Sequence, residues 1–73
     1  METLGQRIKF ARTISKLKQH EVAAHFGIDR VNISQWESDT TKPEIEKIPV
    51  LAALLGTSTG WLIDGRGIGP VAP

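Results

Sequence analysis

The 73-residue chain has no cysteine. That excludes a disulfide, a thiolate zinc site and a cysteine nucleophile, so stability must come from packing alone. Long hydrophobic runs are missing as well. The longest apolar stretch, residues 48–55, is far too short to span a bilayer, and the first residues lack a signal-peptide pattern. The expectation is a cytoplasmic protein with no membrane partner. Charge of one sign is scarce: nine Lys and Arg against eight Asp and Glu leave a net +1, which argues almost nothing about nucleic acid. No Gly-rich phosphate loop, Ser/His/acid set or pair of catalytic carboxylates can be assembled, so catalysis, a cofactor and a small-molecule substrate are not expected. His20 and His25 would stand about 140° apart around a helix and cannot share a metal ion.

What is present begins with the distribution of charge. Between Thr3 and His20 there is no acid, while Arg7, Lys9, Arg12, Lys16 and Lys18 all fall there. The acids come mainly later, as Asp39, Glu44, Glu46 and Asp64. A basic first segment suits an anionic partner. A solvated helix face accounts for the charge equally well.

The length allows one domain near the lower limit for a single hydrophobic core. The pattern predicts an all-α fold of five short helices around that core, over residues 1–65, followed by a flexible tail or the start of a linker, 66–73. Leu4, Ile8, Ala11 and Ser15 recur at helical spacing and place the first helix at about 3–15. Val22, Ala23 and Phe26 give a second, about 19–26, stopped by Gly27. Asp29 is a suitable N-cap for a third, about 30–38, whose buried side holds Ile33 and Trp36. Residues 39–47 read as an exposed loop. Pro49 belongs in the first turn of a fourth helix with the apolar stripe Ile48, Leu51, Ala52 and Leu55. Ser58 can cap a brief fifth helix through Trp61, Leu62 and Ile63, closed by Gly65. Trp36 and Trp61 read as core, and Phe10 lies off the core stripe.

The chemistry concentrates in residues 19–38, where two short helices meet at a tight Gly-Ile-Asp turn and Ala23 is small enough for them to cross closely. With Ile33 facing inward, a rotation of about 100° per residue points Val31 and Gln35 away from the core, flanked by Asn32 and Ser34. A methyl-bearing residue and an amide one turn apart suit a DNA major groove. Glu37 falls on the inward side and needs a cation there, for which Arg12 on the first helix is the best placed.

With these residues in view, the chain resembles the phage repressors of the Cro and CI type, the lambda-repressor-like helix-turn-helix domains. The anchors are RIKFAR at 7–12, QHEVAAHFGI at 19–28, ISQWE at 33–37 and WLIDG at 61–65. The resemblance implies a repressor that binds a double-stranded DNA operator as a homodimer, with 19–38 as the helix-turn-helix unit. It implies base contacts from Arg30, Val31 and Gln35, helped by Asp29 and Asn32. Arg30 suits guanine or a phosphate, Gln35 suits adenine, and Val31 suits a thymine methyl. Phosphate contacts would fall to Lys18, Gln19, Ser38, Thr40, Thr41 and Lys42. Lys18 departs from the usual Ser, Thr or Asn, and Glu44 and Glu46 are unusual beside a DNA backbone.

The resemblance also implies the Arg12–Glu37 pair as a structural link. It places the contact between copies near the start of the fifth helix, at Thr59, Gly60 and Trp61 with Ile48. Gly60 stands where a larger residue is usual, which implies a weak dimer in the absence of DNA. Length and ending suit a complete Cro-like protein and, equally, the N-terminal domain of a longer CI-like repressor. An antitoxin-type regulator that also binds a toxin, and a domain used only for protein contacts, are the alternatives.

Overall fold

The computed structural model describes residues 3–70. Along the chain run α1 (Leu4–Ile14), α2 (Gln19–Phe26), α3 (Arg30–Glu37), one 3-10 turn (Ile45–Lys47), α4 (Ile48–Leu54) and α5 (Thr59–Asp64), with no strand among the described residues.

Local chemistry explains most of these boundaries. At the start of α1 the Thr3 hydroxyl accepts from the Gln6 amide at 3.1 Å, while the Gln6 side chain accepts from the Thr3 amide at 3.3 Å. This reciprocal box satisfies two otherwise orphaned donors. α1 ends where Lys16 turns left-handed (φ 59°) and the Leu17 amide returns to the Arg12 carbonyl at 3.1 Å. Lysine has no acceptor with which to cap α2, so only the reciprocal half of a capping box forms, Glu21 accepting from the Lys18 amide at 2.8 Å. Gly27 ends α2 at φ 66°.

Asp29 stands at the expected N-cap of α3, but its carboxylate makes no cap bond. The Asn32 side chain instead donates to the Asp29 carbonyl at 3.2 Å. α3 stops without a glycine: Asp39 adopts φ 62°, and the amides of Thr40 and Thr41 fold back onto the Gln35 carbonyl at 3.0 and 3.3 Å. Aspartate tolerates this conformation better than most side chains. Ser58 caps α5 by accepting from the Trp61 amide at 3.1 Å, and Gly65 closes it at φ 80°.

α1 packs against α3 and α5, while α2 packs on α3 and α4 on α5. Ile8, Ile33, Leu51, Leu55 and Leu62 bring four helices to one core and are almost completely buried. The start of α1 lies against the end of α3 so closely that a Cβ on Gly5 would stand 2.5 Å from the Trp36 carbonyl oxygen. No other residue fits there without movement. Asp39 fastens the same junction, accepting from the Gly5 amide at 2.9 Å.

The 39–47 segment is mostly exposed, as expected, but Pro43 is buried and residues 45–47 form the 3-10 turn that leads into α4. The chain also folds back after Gly65, where the Ile68 carbonyl accepts from the Ser58 amide at 3.1 Å. The rest of the expected tail, residues 71–73, lies outside the described residues.

Candidate nucleic-acid interface

The interface starts from the two sides of α3. Ile33, Trp36 and Glu37 are buried, which fixes the rotation of the helix. Val31 is then left 48% exposed. Asp29 and Arg30 are exposed beside it, and Asn32, Ser34 and Gln35 are partly exposed. The outward set read from the sequence is therefore gathered on one surface, with Gln35 more sheltered than Val31.

Behind that surface runs a chain of hydrogen bonds. The Arg12 guanidinium grips Glu37 with Nε at 2.5 Å from Oε2 and Nη2 at 3.1 Å from Oε1, and its Nη1 donates to the Leu17 carbonyl at 2.9 Å. The Gln19 Nε2 donates to the same Glu37 carboxylate at 3.0 Å, and the Gln19 Oε1 accepts from Arg30 at 2.9 Å. A buried carboxylate is costly unless charged and neutral donors both reach it, and here both do. The Gln19 side chain, expected to hold a phosphate, is thus engaged at both ends. Its free contribution to an anion is the backbone amide at the start of α2. Arg30 is exposed but drawn toward α2, so that Val31 is an exposed candidate on α3 and Gln35 a partly exposed one.

The remaining cationic and hydroxyl candidates lie at the start of α2 and in the segment after α3. Lys18, Ser38, Thr40, Thr41 and Lys42 are all exposed. Ser38 and Thr40 share a hydroxyl contact at 2.8 Å. The amides of Thr40 and Thr41 are already bonded to Gln35, so these threonines offer hydroxyls alone. Lys9 was not singled out in the sequence for a phosphate, yet it lines one depression of about 230 Å³ with Gln19, Ser34, Glu37 and Ser38. Its position three residues before Arg12 on α1 was the available signal.

The basic first segment is less outward than its sequence suggests. Arg7 is 6% exposed, with Nε donating to the Leu62 carbonyl at 2.8 Å and Nη2 to that of Ile63. It ties α1 to the end of α5, where a cation meets the carbonyl-rich helix terminus. With Arg12 also turned inward, Lys9, Lys16 and Lys18 are the cations of this segment left facing solvent. Nearby acids are held in their charged form. A hydrogen bond from the Thr3 side chain and then one from the Gly5 amide lower the Asp39 pKa below its ordinary value. Lys47 pairs with Glu44 and lowers its pKa likewise, which offsets one of the two carboxylates flanking the loop.

The surface expected between copies is only partly available. Ile48 is 9% exposed and packs in the core, because α4 turns its apolar stripe inward, so it has little area for a second chain. Thr59 and Trp61 are partly exposed and Gly60 is exposed. Trp61 packs against the core and lies 6.3 Å, centroid to centroid, from Phe10. Among the described residues no cluster of three or more His, Asp or Glu is placed to hold a metal ion, and no helix is long and apolar enough to cross a membrane.

Comparison with known proteins adds to this geometry. Residues 5–68 match the sequence model of a helix-turn-helix domain. The Repressor protein C2 of Salmonella phage P22 is 33% identical over 64 residues, which cover 88% of this chain and 30% of that protein. The HTH-type transcriptional regulator DicA of Escherichia coli is 32% identical over 63 residues, covering 86% of this chain and 47% of that protein. The chain therefore spans less than half the length of either relative. A crystal structure of the P22 c2 repressor with synthetic operator 9T, in the presence of Tl+, is similar at a TM-score of 0.81 and 32% identity, covering 90% of this chain and 100% of that one.

Proposed function

The chain belongs to the helix-turn-helix domain family of phage repressors and related transcriptional regulators, and on that premise we propose that it binds double-stranded DNA in a sequence-specific manner and represses transcription by occupying a promoter. The observation that carries this reading is the surface of α3. Val31 is half exposed beside Arg30, Asn32 and Gln35, on a helix whose opposite side is fixed by Ile33, Trp36 and the buried Glu37. Its fold is that of a repressor solved with its operator. The role is binding, not catalysis, and it is exercised in the cytoplasm.

On DNA, α3 lies in the major groove with its N-terminal half nearest the bases. Val31 packs on a thymine methyl, Gln35 pairs with adenine, and Arg30 reaches guanine once it leaves Gln19, with Asp29 and Asn32 assisting. Lys18, the Gln19 amide, Ser38, Thr40, Thr41 and Lys42 hold the backbone, joined by Lys9. One short helix reads too few base pairs for a unique site. Two copies therefore pair through Thr59, Gly60 and Trp61 on half-sites about 34 Å apart, one helical turn of DNA.

Footprinting on a selected operator, repeated across a salt series, tests this. With the three lysines of each copy neutralising about six phosphates per dimer, the log–log slope of affinity against salt should be about −5. A flat salt dependence would remove the DNA assignment. Protection of a single half-site at saturation would remove the dimer.

A further inference from the structure

The chain after α5 is neither extended nor packed on the core. Gly65 and Gly67 take φ values of 80° and 88°, conformations that glycine adopts freely, and they turn the backbone back across the beginning of α5. There the Ile68 carbonyl collects three donors: the Ser58 amide at 3.1 Å, the Ser58 hydroxyl at 3.0 Å and the Thr57 hydroxyl at 3.0 Å. The Arg66 carbonyl passes 3.4 Å from where a Cβ on Gly60 would stand. A Cβ on Gly69 would lie 3.0 Å from the indole nitrogen of Trp61. Residues 66–69 thus run alongside Gly60, which stays exposed, and against one edge of the partly exposed Trp61, two of the residues assigned above to the contact between copies.

We propose that residues 66–69 form an intrachain strap that competes with a second copy of the chain for the surface at residues 59–61, so that pairing requires the strap to lift. This rests on the dimer contact proposed above. The way the strap is held makes it reversible. The Ile68 side chain is 73% exposed, so no hydrophobic burial there locks the strap down. What holds it is mainly a set of exposed hydrogen bonds, each of small net value because water replaces it readily. A surface covered most of the time binds its partner with an affinity reduced by the uncovered fraction. The strap thereby supplies a cause for weak pairing in the absence of DNA that does not depend on which side chain stands at position 60.

Two substitutions in the full chain loosen the strap while leaving residues 59–61 intact. Gly67→Val places a β-branched residue at φ 88° with its Cβ 3.2 Å from the Ser58 hydroxyl. Thr57→Val removes one donor to Ile68 at nearly constant volume. Sedimentation equilibrium gives the dimer dissociation constant, and amide exchange at Ser58 reports strap release. With the strap closed about nine-tenths of the time on each copy, and both straps having to lift, Gly67→Val should tighten pairing by up to about a hundredfold, and Thr57→Val should tighten it less in the same direction. Faster Ser58 exchange in both variants with unchanged or weaker pairing would overturn the strap while leaving the dimer standing. If the native chain and both variants protect only one half-site, the dimer contact itself is wrong and the strap fails with it. Thr57→Val adds no strain and reads strap release even where Gly67→Val folds poorly.

Discussion

The inward and outward sides of α3 are built on opposite principles. Inward, Ile33, Trp36 and Glu37 are buried, Glu37 takes donors from Arg12 and Gln19, and the Trp36 carbonyl lies against Gly5. Outward, Val31 is half exposed and Gln35 makes its local hydrogen bonds through its backbone carbonyl. A side chain that is bonded and enclosed contributes to folding. One that is pointed outward beside an unfilled surface contributes to folding almost nothing and is free to contribute to recognition. Holding and reading should therefore be separable by mutation, even though both reside on eight residues.

The largest effect should come from the inward side. Arg12→Met leaves Glu37 buried without its cation and should cost about 3–5 kcal/mol of stability. The double change Arg12→Met with Glu37→Leu should recover much of that, as seen by denaturant unfolding of the four proteins. A near-neutral Arg12→Met would make the two sides of α3 energetically alike and break the comparison. Next in size is Gly5→Ala. Its Cβ would meet two backbone oxygens and the Asp39 carboxylate, the nearest at 2.5 Å, and such overpacking costs about 1–3 kcal/mol. Alanine gains at most about 1 kcal/mol in helix propensity, less near a helix end, so the net change should be destabilising. Unchanged thermal stability would show that the α1–α3 junction yields.

These two residues also mark the boundary of what the sequence could tell. The helices were legible because apolar spacing and Gly27, Ser58 and Gly65 are local signals. The Arg12–Glu37 pair was legible because each residue lies on the inward flank of a helix with an apolar stripe. Gly5 was not: nothing near it in the chain announces that α3 will arrive from 31 residues away. Arg7 was misleading for a related reason, since its partners are the Leu62 and Ile63 carbonyls, which carry no side-chain signature. The end of α3 lacked its usual glycine because Asp39 serves both as the left-handed residue and as the acceptor for Gly5. Among the candidate DNA contacts, the outward residues of α3 followed from helical rotation, whereas the engagement of Gln19 by Glu37 and Arg30 needed three helices in place.

Smaller effects sharpen the same contrast. The Asp39 carboxyl is held below its ordinary value of 3.8 by Thr3 and then Gly5. Its stabilisation is therefore complete above that value and is lost as pH falls through the lower, folded-state value. Asp39→Asn should make unfolding less sensitive to acid below about pH 4, measured by urea midpoints across a pH series. An unchanged acid limb would mean that Asp39 does not secure the junction. Lys18→Ala should leave stability nearly untouched, weaken binding on every sequence, reduce the salt slope of the dimer by about two, one for each copy, and keep the consensus. A shifted consensus would move Lys18 from holding the backbone to reading bases.

The most direct test compares the native chain with Gln35→Ala on a selected operator and its single-base variants, with unfolding measured alongside. Stability should change by less than about 0.5 kcal/mol, while discrimination falls by about 1–3 kcal/mol at one base pair in each half-site and nowhere else. Equal weakening on every sequence would contradict base reading by this side chain, and with it the proposed docking of α3.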